Sequence, residues 1–144
     1  SLKFDLILHY YVLEHVKKPV DFIKQYMDFL KDGGKMIFEV PCASDPLIEL
    51  YDVPAFKKFY WSVAHHWYFN RESLTKLLKK IKCPFEIFPE QRYDVSNHIV
   101  WMLEGKQGGL GRYSHIFGDN LDRLYKERLK ENWLCDTIIA VVKK

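Results

Sequence analysis

The chain has 144 residues, 48% of them hydrophobic and 16% aromatic, with 22 Lys+Arg against 19 Asp+Glu and a net charge of +3. That balance excludes a disordered chain and supplies one domain with enough apolar material for a core. The charges are spread over mixed-sign segments, the longest apolar runs are far shorter than the ~18 residues of a membrane span, and no secretory-type signal precedes the first strand-like segment. A soluble, cytoplasmic protein with neither nucleic-acid nor membrane partners is therefore expected. Cys42, Cys83 and Cys135 are widely spaced without a CxxC pair, which predicts reduced thiols rather than a disulfide framework or zinc site.

The first readable element is Lys3 to Tyr11 (KFDLILHYY), a near-continuous apolar run that fits a strand buried on both faces. Pro19 then suits a helix's first turn, and Val20, Ile23, Tyr26 or Met27 and Leu30 recur at helical spacing, which predicts an amphipathic helix over 19–31. Gly33 and Gly34 are placed to stop that helix, and Lys35 to Val40 reads as a strand closed by Pro41. Two strands joined through a helix of this length pair in parallel, which points to an α/β sheet.

From Cys42 to Phe69 the periodicity loosens into an aromatic-rich insertion with short helical pieces, broken by Pro46 and Pro54. Asn70 can cap a helix from Arg71 to Ile81 whose buried stripe is Leu74, Leu77, Leu78 and Ile81. Pro84 to Arg92 alternates as a strand, with Pro89 assigning it to an edge or bulge. Ser96 to Leu103 reads as a short helix, for which Asn97 is the expected cap. A glycine-bearing loop follows, and then a helix opened by Asp119 or Asn120, with Leu121, Leu124, Tyr125 and Leu129 on one face. Thr137 to Val142 (TIIAVV) is the last strand. No repeat or low-complexity linker is visible, so residues 1–144 read as a single partial domain.

This order of elements, with the segments FDLILHYYVLEHV, KDGGKMIFEVP and HHWYFNRESLTKLL, resembles the second half of a class I S-adenosylmethionine-dependent methyltransferase over nearly the whole chain. A finer likeness, to methyltransferases of sugar and polysaccharide pathways, runs through Gln91, Arg92, Tyr93, Asn97, His98, Trp101, Gly105, Lys106, Gly108, Gly109, Asp136 and Thr137. The resemblance implies the carboxy-terminal half of a Rossmann-like α/β fold. About four strands would lie in the family's order 4-5-7-6, the last antiparallel between its neighbours. It also implies S-adenosylmethionine as cofactor and a small hydroxylated acceptor such as a sugar or sugar nucleotide.

The family's glycine-rich turn after its first strand, and the acidic residue that holds the ribose, have no counterpart here, so the chain is expected to be inactive alone. A non-catalytic α/β association module derived from a methyltransferase is the alternative. In either case Lys3 to Tyr11 has lost a pairing partner on one side, and an unpaired apolar strand predicts homo-oligomers formed through that edge.

In open α/β sheets ligands bind outside the carboxyl ends of the strands, here His9, Tyr10 and Tyr11, then Glu39, Val40 and Pro41. The resemblance implies that His9 and Tyr10 border the cofactor; the plainer alternative for the tyrosines is that they close the core. It also implies that Glu39, Tyr68 and His98 contact the acceptor. His65 and His66 stand where sugar C-methyltransferases carry a glutamate and a histidine ahead of a tyrosine and phenylalanine, and Tyr68 and Phe69 keep that ending. Imidazole, with an ordinary pKa near ~6.5, suits a base acting on a hydroxyl or enolisable carbon, and packing against Trp67 or Trp61 is the alternative for the pair. Glu14 and His15 match two ligands of a metal site in some quinone-type O-methyltransferases. The third position is Tyr11, so the set is incomplete and no metal is expected.

Overall fold

A computed structural model describes residues 2–144. In chain order the elements are β1 (Phe4–Tyr10), a 3-10 turn (Leu13–His15), α1 (Pro19–Met27), β2 (Leu30–Pro41), α2 (Pro46–Glu49), α3 (Pro54–Tyr60), α4 (Arg71–Lys79), β3 (Phe85–Glu90), α5 (Val95–Glu104), α6 (Ser114–Glu131) and β4 (Thr137–Lys143). They form two compact units. The first takes the chain up to Cys42, Ala64–Phe88 and Ile138–Lys144; the second takes Ala43–Val63 and Pro89–Thr137.

The first unit is organised by a four-stranded sheet of order β1-β2-β4-β3, the order that the resemblance implies. β1 and β2 are parallel, with His9 opposite Phe38 and Tyr10 opposite Glu39. β4 runs antiparallel between its neighbours. Its last residues exchange backbone hydrogen bonds with the start of β2 (Gly33 N to Lys144 O, 3.3 Å; Lys144 N to Gly34 O, 3.0 Å), while Lys143 N reaches Pro84 O beside β3 at 2.9 Å. Met36, Phe38 and Val40 of β2, and Ile138, Ala140 and Val142 of β4, are buried, as central strands require. Pro89 lies on outer strand β3, where a missing N–H breaks no ladder. α4 begins with a reciprocal cap in which Asn70 Oδ1 accepts from Ser73 N and Ser73 Oγ accepts from Asn70 N, each at 2.9 Å. Leu74, Leu77, Leu78 and Ile81 are buried, as their spacing predicts.

Two expectations need correction in this unit. The glycine pair does not end the first helix: α1 stops at Met27, and both glycines lie inside β2, which begins at Leu30. There the pairing jumps from Phe4 opposite Leu30 to Leu6 opposite Lys35, so β2 carries extra residues as a bulge. Gly33 has a φ of +78°, and a Cβ on Gly34 would come within 2.9 Å of Lys31 O and 3.2 Å of both Phe4 O and Asp5 O. The pair is needed where β2 presses against β1. The second correction concerns β1, which is apolar yet not buried on both faces. It is the sheet's outer strand, and Phe4, Leu6, Leu8 and Tyr10, all on one face, are 43–53% exposed.

In the second unit, Asp45 caps α2 by accepting from Leu47 N at 2.7 Å, and Phe56 of α3 meets Trp101 of α5 edge-on at 5.0 Å. α5 is capped by Asp94, not Asn97. Asp94 accepts from Asn97 N at 2.8 Å through one oxygen and from Gly111 N at 2.7 Å through the other, which leaves Asn97 buried in the helix's first turn. α6 is broken at Gly118 (φ 67°, ψ 164°), so its regular part starts where Asp119 and Asn120 predict. Of its expected apolar face Leu129 is buried, whereas Leu121 and Leu124 are exposed.

Candidate functional site at the carboxyl ends of β1 and β2

The site in the first unit is assembled where β1 and β2 end. The chain leaves β1 through Tyr11, whose φ of 55° turns it sharply off the sheet. Tyr11 N donates to Glu39 O at 2.9 Å and its hydroxyl donates to Glu39 Oε1 at 3.0 Å, which ties a fully buried carboxylate to the turn. The following 3-10 turn is joined to the segment before α4. His66 N and Trp67 N both donate to Glu14 O (2.8 and 3.2 Å), Trp67 Nε1 donates to Val16 O at 2.9 Å, and His15 Nδ1 bonds Ala64 O at 2.8 Å. A carbonyl can only accept, so Nδ1 of His15 carries a hydrogen. The other ring nitrogen faces Glu14, with Nε2 3.9 Å from Oε1.

Glu14 is 1% exposed, and its Oε2 is buried without a hydrogen-bond partner. Burial pushes its carboxyl above the ordinary range, against the smaller opposing effects of a backbone hydrogen bond and His15. The His65 ring stands 4.7 Å from that of His15, and its Nδ1 is likewise buried and unpartnered. Burial and, second, the neighbouring imidazole hold His65 below the usual histidine value. Glu14, His15 and His65 therefore converge, although the sequence separates the pair from His65 by about a third of the chain. Adjacency of Glu14 to His15 and of His65 to His66 was the available signal; nothing in the spacing shows that the two segments meet.

The other expected site residues are distributed as follows. His66 is exposed and adjoins the cluster through its backbone bond to Glu14. Tyr68 is half-buried, its ring 5.4 Å from His65. His9 points to the α1 side of β1, stacked on Phe38 at 4.9 Å and edge-on to Phe22 at 5.6 Å. Both its ring nitrogens are buried without partners, and burial lowers it to about 4. Tyr10 projects from the opposite, exposed face, and Glu39 is held by Tyr11 as described. A surface groove beside the cluster is lined by Lys17, Lys18, Trp67, Tyr68, Lys76 and Lys80.

His98 belongs to the second unit, buried with Nδ1 on the Tyr125 hydroxyl and Nε2 3.4 Å from Gln91 Nε2, while Tyr125 OH meets Tyr51 OH at 2.8 Å. Burial holds it near 4 as well. The same unit buries two carboxyls, Asp45 and Asp136, that sequence reasoning did not expect as site residues. Asp136 accepts from Arg92 N and Tyr93 N (2.9 and 2.8 Å) and is raised by burial to about 6; Asp45 is raised to about 7, chiefly by burial and further by Asp136.

No curated protein matches the chain significantly. Among solved structures, a SAM-dependent methyltransferase from Archaeoglobus fulgidus is 16% identical, matched over 99% of this chain and 60% of its own, with a TM-score of 0.53. The plantazolicin methyltransferase BpumL, in complex with a monoazolic desmethylPZN analogue and SAH, is 13% identical over 100% of this chain and 52% of its own, with a TM-score of 0.56. A possible histamine N-methyltransferase from Thermotoga maritima is 20% identical over 99% and 58%, with a TM-score of 0.54. The chain thus spans little more than half the length of these structures and shares the fold of that part. The family described as "Methyltransferase domain" matches residues 1–82. With that match over more than half its length, the chain belongs to the methyltransferase-domain family, and with the mixed sheet order found above it shares the fold of the SAM-dependent methyltransferase structures it resembles.

Proposed function

We propose that the chain is the acceptor-side part of an S-adenosylmethionine-dependent methyltransferase acting on a small hydroxylated substrate, a sugar or sugar nucleotide, and that it is inactive alone. The observation that carries this reading is the stitching of the histidine-bearing segment 64–67 onto the turn that leaves β1, at the sheet end where this fold class binds ligands. His9 and Tyr10 would border the cofactor. The partnerless, buried nitrogens of His9 fit a neighbouring polar group, although the glycine-rich turn that would grip the rest of the molecule is not in this chain. When bound, S-adenosylmethionine supplies an electrophilic methyl group.

The chain's own part is to align an acceptor and take its proton. His66, exposed beside the cluster, receives the hydroxyl proton on its imidazole as the acceptor oxygen becomes nucleophilic, and His65 borders the same position. Tyr68 and the lysines of the adjoining groove suit a ring with an attached phosphate. Glu39 orients the turn through Tyr11.

The test is made in the protein that supplies both halves of the fold. His66→Ala should lower turnover of a sugar-nucleotide acceptor about 10²-fold or more. Unchanged turnover removes the base assignment. Calorimetry of the present chain with a sugar nucleotide should give saturable heat, abolished by Tyr68→Ala; absence of heat sinks the acceptor-side reading.

One observation favours a second reading, an association module: the four apolar side chains of β1 that share one exposed face. A second copy of this chain is the occupant we propose for that face.

A further inference from the structure

We propose that Glu14, His15 and His65 form a binding site for a first-row divalent transition-metal cation, with zinc as the working case. Each side chain offers one ligand atom, and the three atoms lie within 4.8 Å of one another. What converges is three groups that each offer a lone pair once the metal displaces any proton they carry. Glu14 Oε2 and His65 Nδ1 are buried with no hydrogen-bond partner, and with Nδ1 bonded to Ala64 O it is Nε2 of His15 that is left to ligate. A buried carboxylate oxygen left without a donor is costly, and a cation at the shared centre satisfies all three groups at once.

The surroundings are those that a metal ligand set uses. The back nitrogen of His15 donates to a backbone carbonyl, the contact that fixes a ligating imidazole's tautomer and orientation. The two ligand-bearing segments are locked to each other by the bonds from His66 N and Trp67 N to Glu14 O and from Trp67 Nε1 to Val16 O, so the ligands stand on a fixed frame. Ligand atoms of a tetrahedral zinc site, with bonds of ~2.1 Å, stand about 3.4 Å apart. Glu14 Oε1 and His15 Nε2 are 3.9 Å apart and the whole set lies within 4.8 Å, so binding would draw the ligand atoms together by up to about 1.4 Å. Two imidazoles and one carboxylate select zinc, cobalt or nickel over magnesium or calcium, which prefer all-oxygen shells. Three protein ligands leave a fourth position for water or a substrate oxygen on the exposed side of His15. This inference does not depend on methyl transfer.

The experiment is calorimetric titration of the chelator-stripped chain with zinc chloride, repeated with cobalt chloride while the visible absorption of low-coordinate cobalt is followed. One site per chain of micromolar or tighter affinity is expected, with a rise in Tm of several degrees on zinc addition. His65→Ala and Glu14→Gln should each weaken binding at least tenfold, whereas His115→Ala, an exposed histidine of the second unit, should leave it unchanged. His65 is half-buried and its truncation is expected to fold, so circular dichroism of that variant keeps the test valid if Glu14→Gln does not. No saturable one-site binding at micromolar zinc, or wild-type affinity in His65→Ala, overturns the proposal. So does equal competition by magnesium.

Discussion

Asp45 offers a measurement in which the sign and the pH window are both fixed by the structure. Its carboxyl is buried at the head of α2, accepts one backbone hydrogen bond, and titrates near 7 in the fold rather than near 3.8. Below pH ~4 the group is protonated in folded and unfolded chains alike, and its full contribution to stability is present. Between ~4 and ~7 the unfolded chain releases the proton while the fold retains it, so stability falls by about 1.4 kcal/mol per pH unit, up to about 4 kcal/mol in all. Asp136, raised to about 6, adds to the loss in the lower part of that range, while His9 and His98, held near 4 by burial, oppose it up to ~6.5 as the unfolded chain releases their protons, so Asp45 is isolated by the difference between the parent and a variant that lacks its charge. Asp45→Asn keeps an oxygen for Leu47 N and removes the charge. It should match the parent at pH 4, exceed it by up to about 4 kcal/mol at pH 8, and widen its lead by about 1 kcal/mol between 6 and 7. Urea unfolding followed by tryptophan fluorescence at pH 4, 6, 7 and 8 reads all three. A lead that does not grow with pH, or a variant with the parent's slope, would refute the reasoning.

Gly34→Ala should destabilise the first unit by about 1–3 kcal/mol in urea, because its Cβ would meet backbone oxygens that cannot turn away. Tyr125→Phe removes the hydroxyl that joins His98 to Tyr51 and leaves both buried partners wanting, a loss of about 1–3 kcal/mol in thermal unfolding. Leu8→Lys places a charge in the middle of the exposed face of β1, so sedimentation velocity should show the wild-type chain self-associated and the variant monomeric; a monomeric wild type at tens of micromolar rules out that interface.

Elements whose periodicity is local were legible in the sequence. Leu74, Leu77, Leu78 and Ile81 repeat at helical spacing behind Asn70, and the amphipathic face and its cap depend only on residues within a turn of one another. Strand order followed from the resemblance and not from spacing. Gly33 and Gly34 were misplaced because a glycine pair after a helix signals a stop equally well whether it caps that helix or relieves a bulge three residues into the next strand; only the carbonyls of Phe4 and Asp5 across the sheet decide between them. Asn97 lost the cap to Asp94 because the two stand three residues apart and either could begin a first turn. β1 illustrates a different limit. An apolar run reports what a strand would bury, and its exposure here depends on which neighbours the sheet possesses. The Glu14, His15 and His65 cluster was hidden for the reason that hides most sites: its members are brought together by hydrogen bonds between segments far apart in sequence.

The position of β4 between β2 and β3 has a kinetic consequence. β2 and β3 are both made before β4; β2 can pair with β1 on one side, but its other edge, and β3 altogether, have no ladder partner until residues 137–143 have left the ribosome. Until then a half-paired β2, the main carrier of the core, and an unpaired β3 stand open to chaperones, to proteases and to each other's copies on a polysome. Shaving even a few residues from that late segment should thus be far more damaging than its small share of the chain suggests, and a quality-control system would have a clear marker, an uncapped central strand, by which to detect an unfinished molecule.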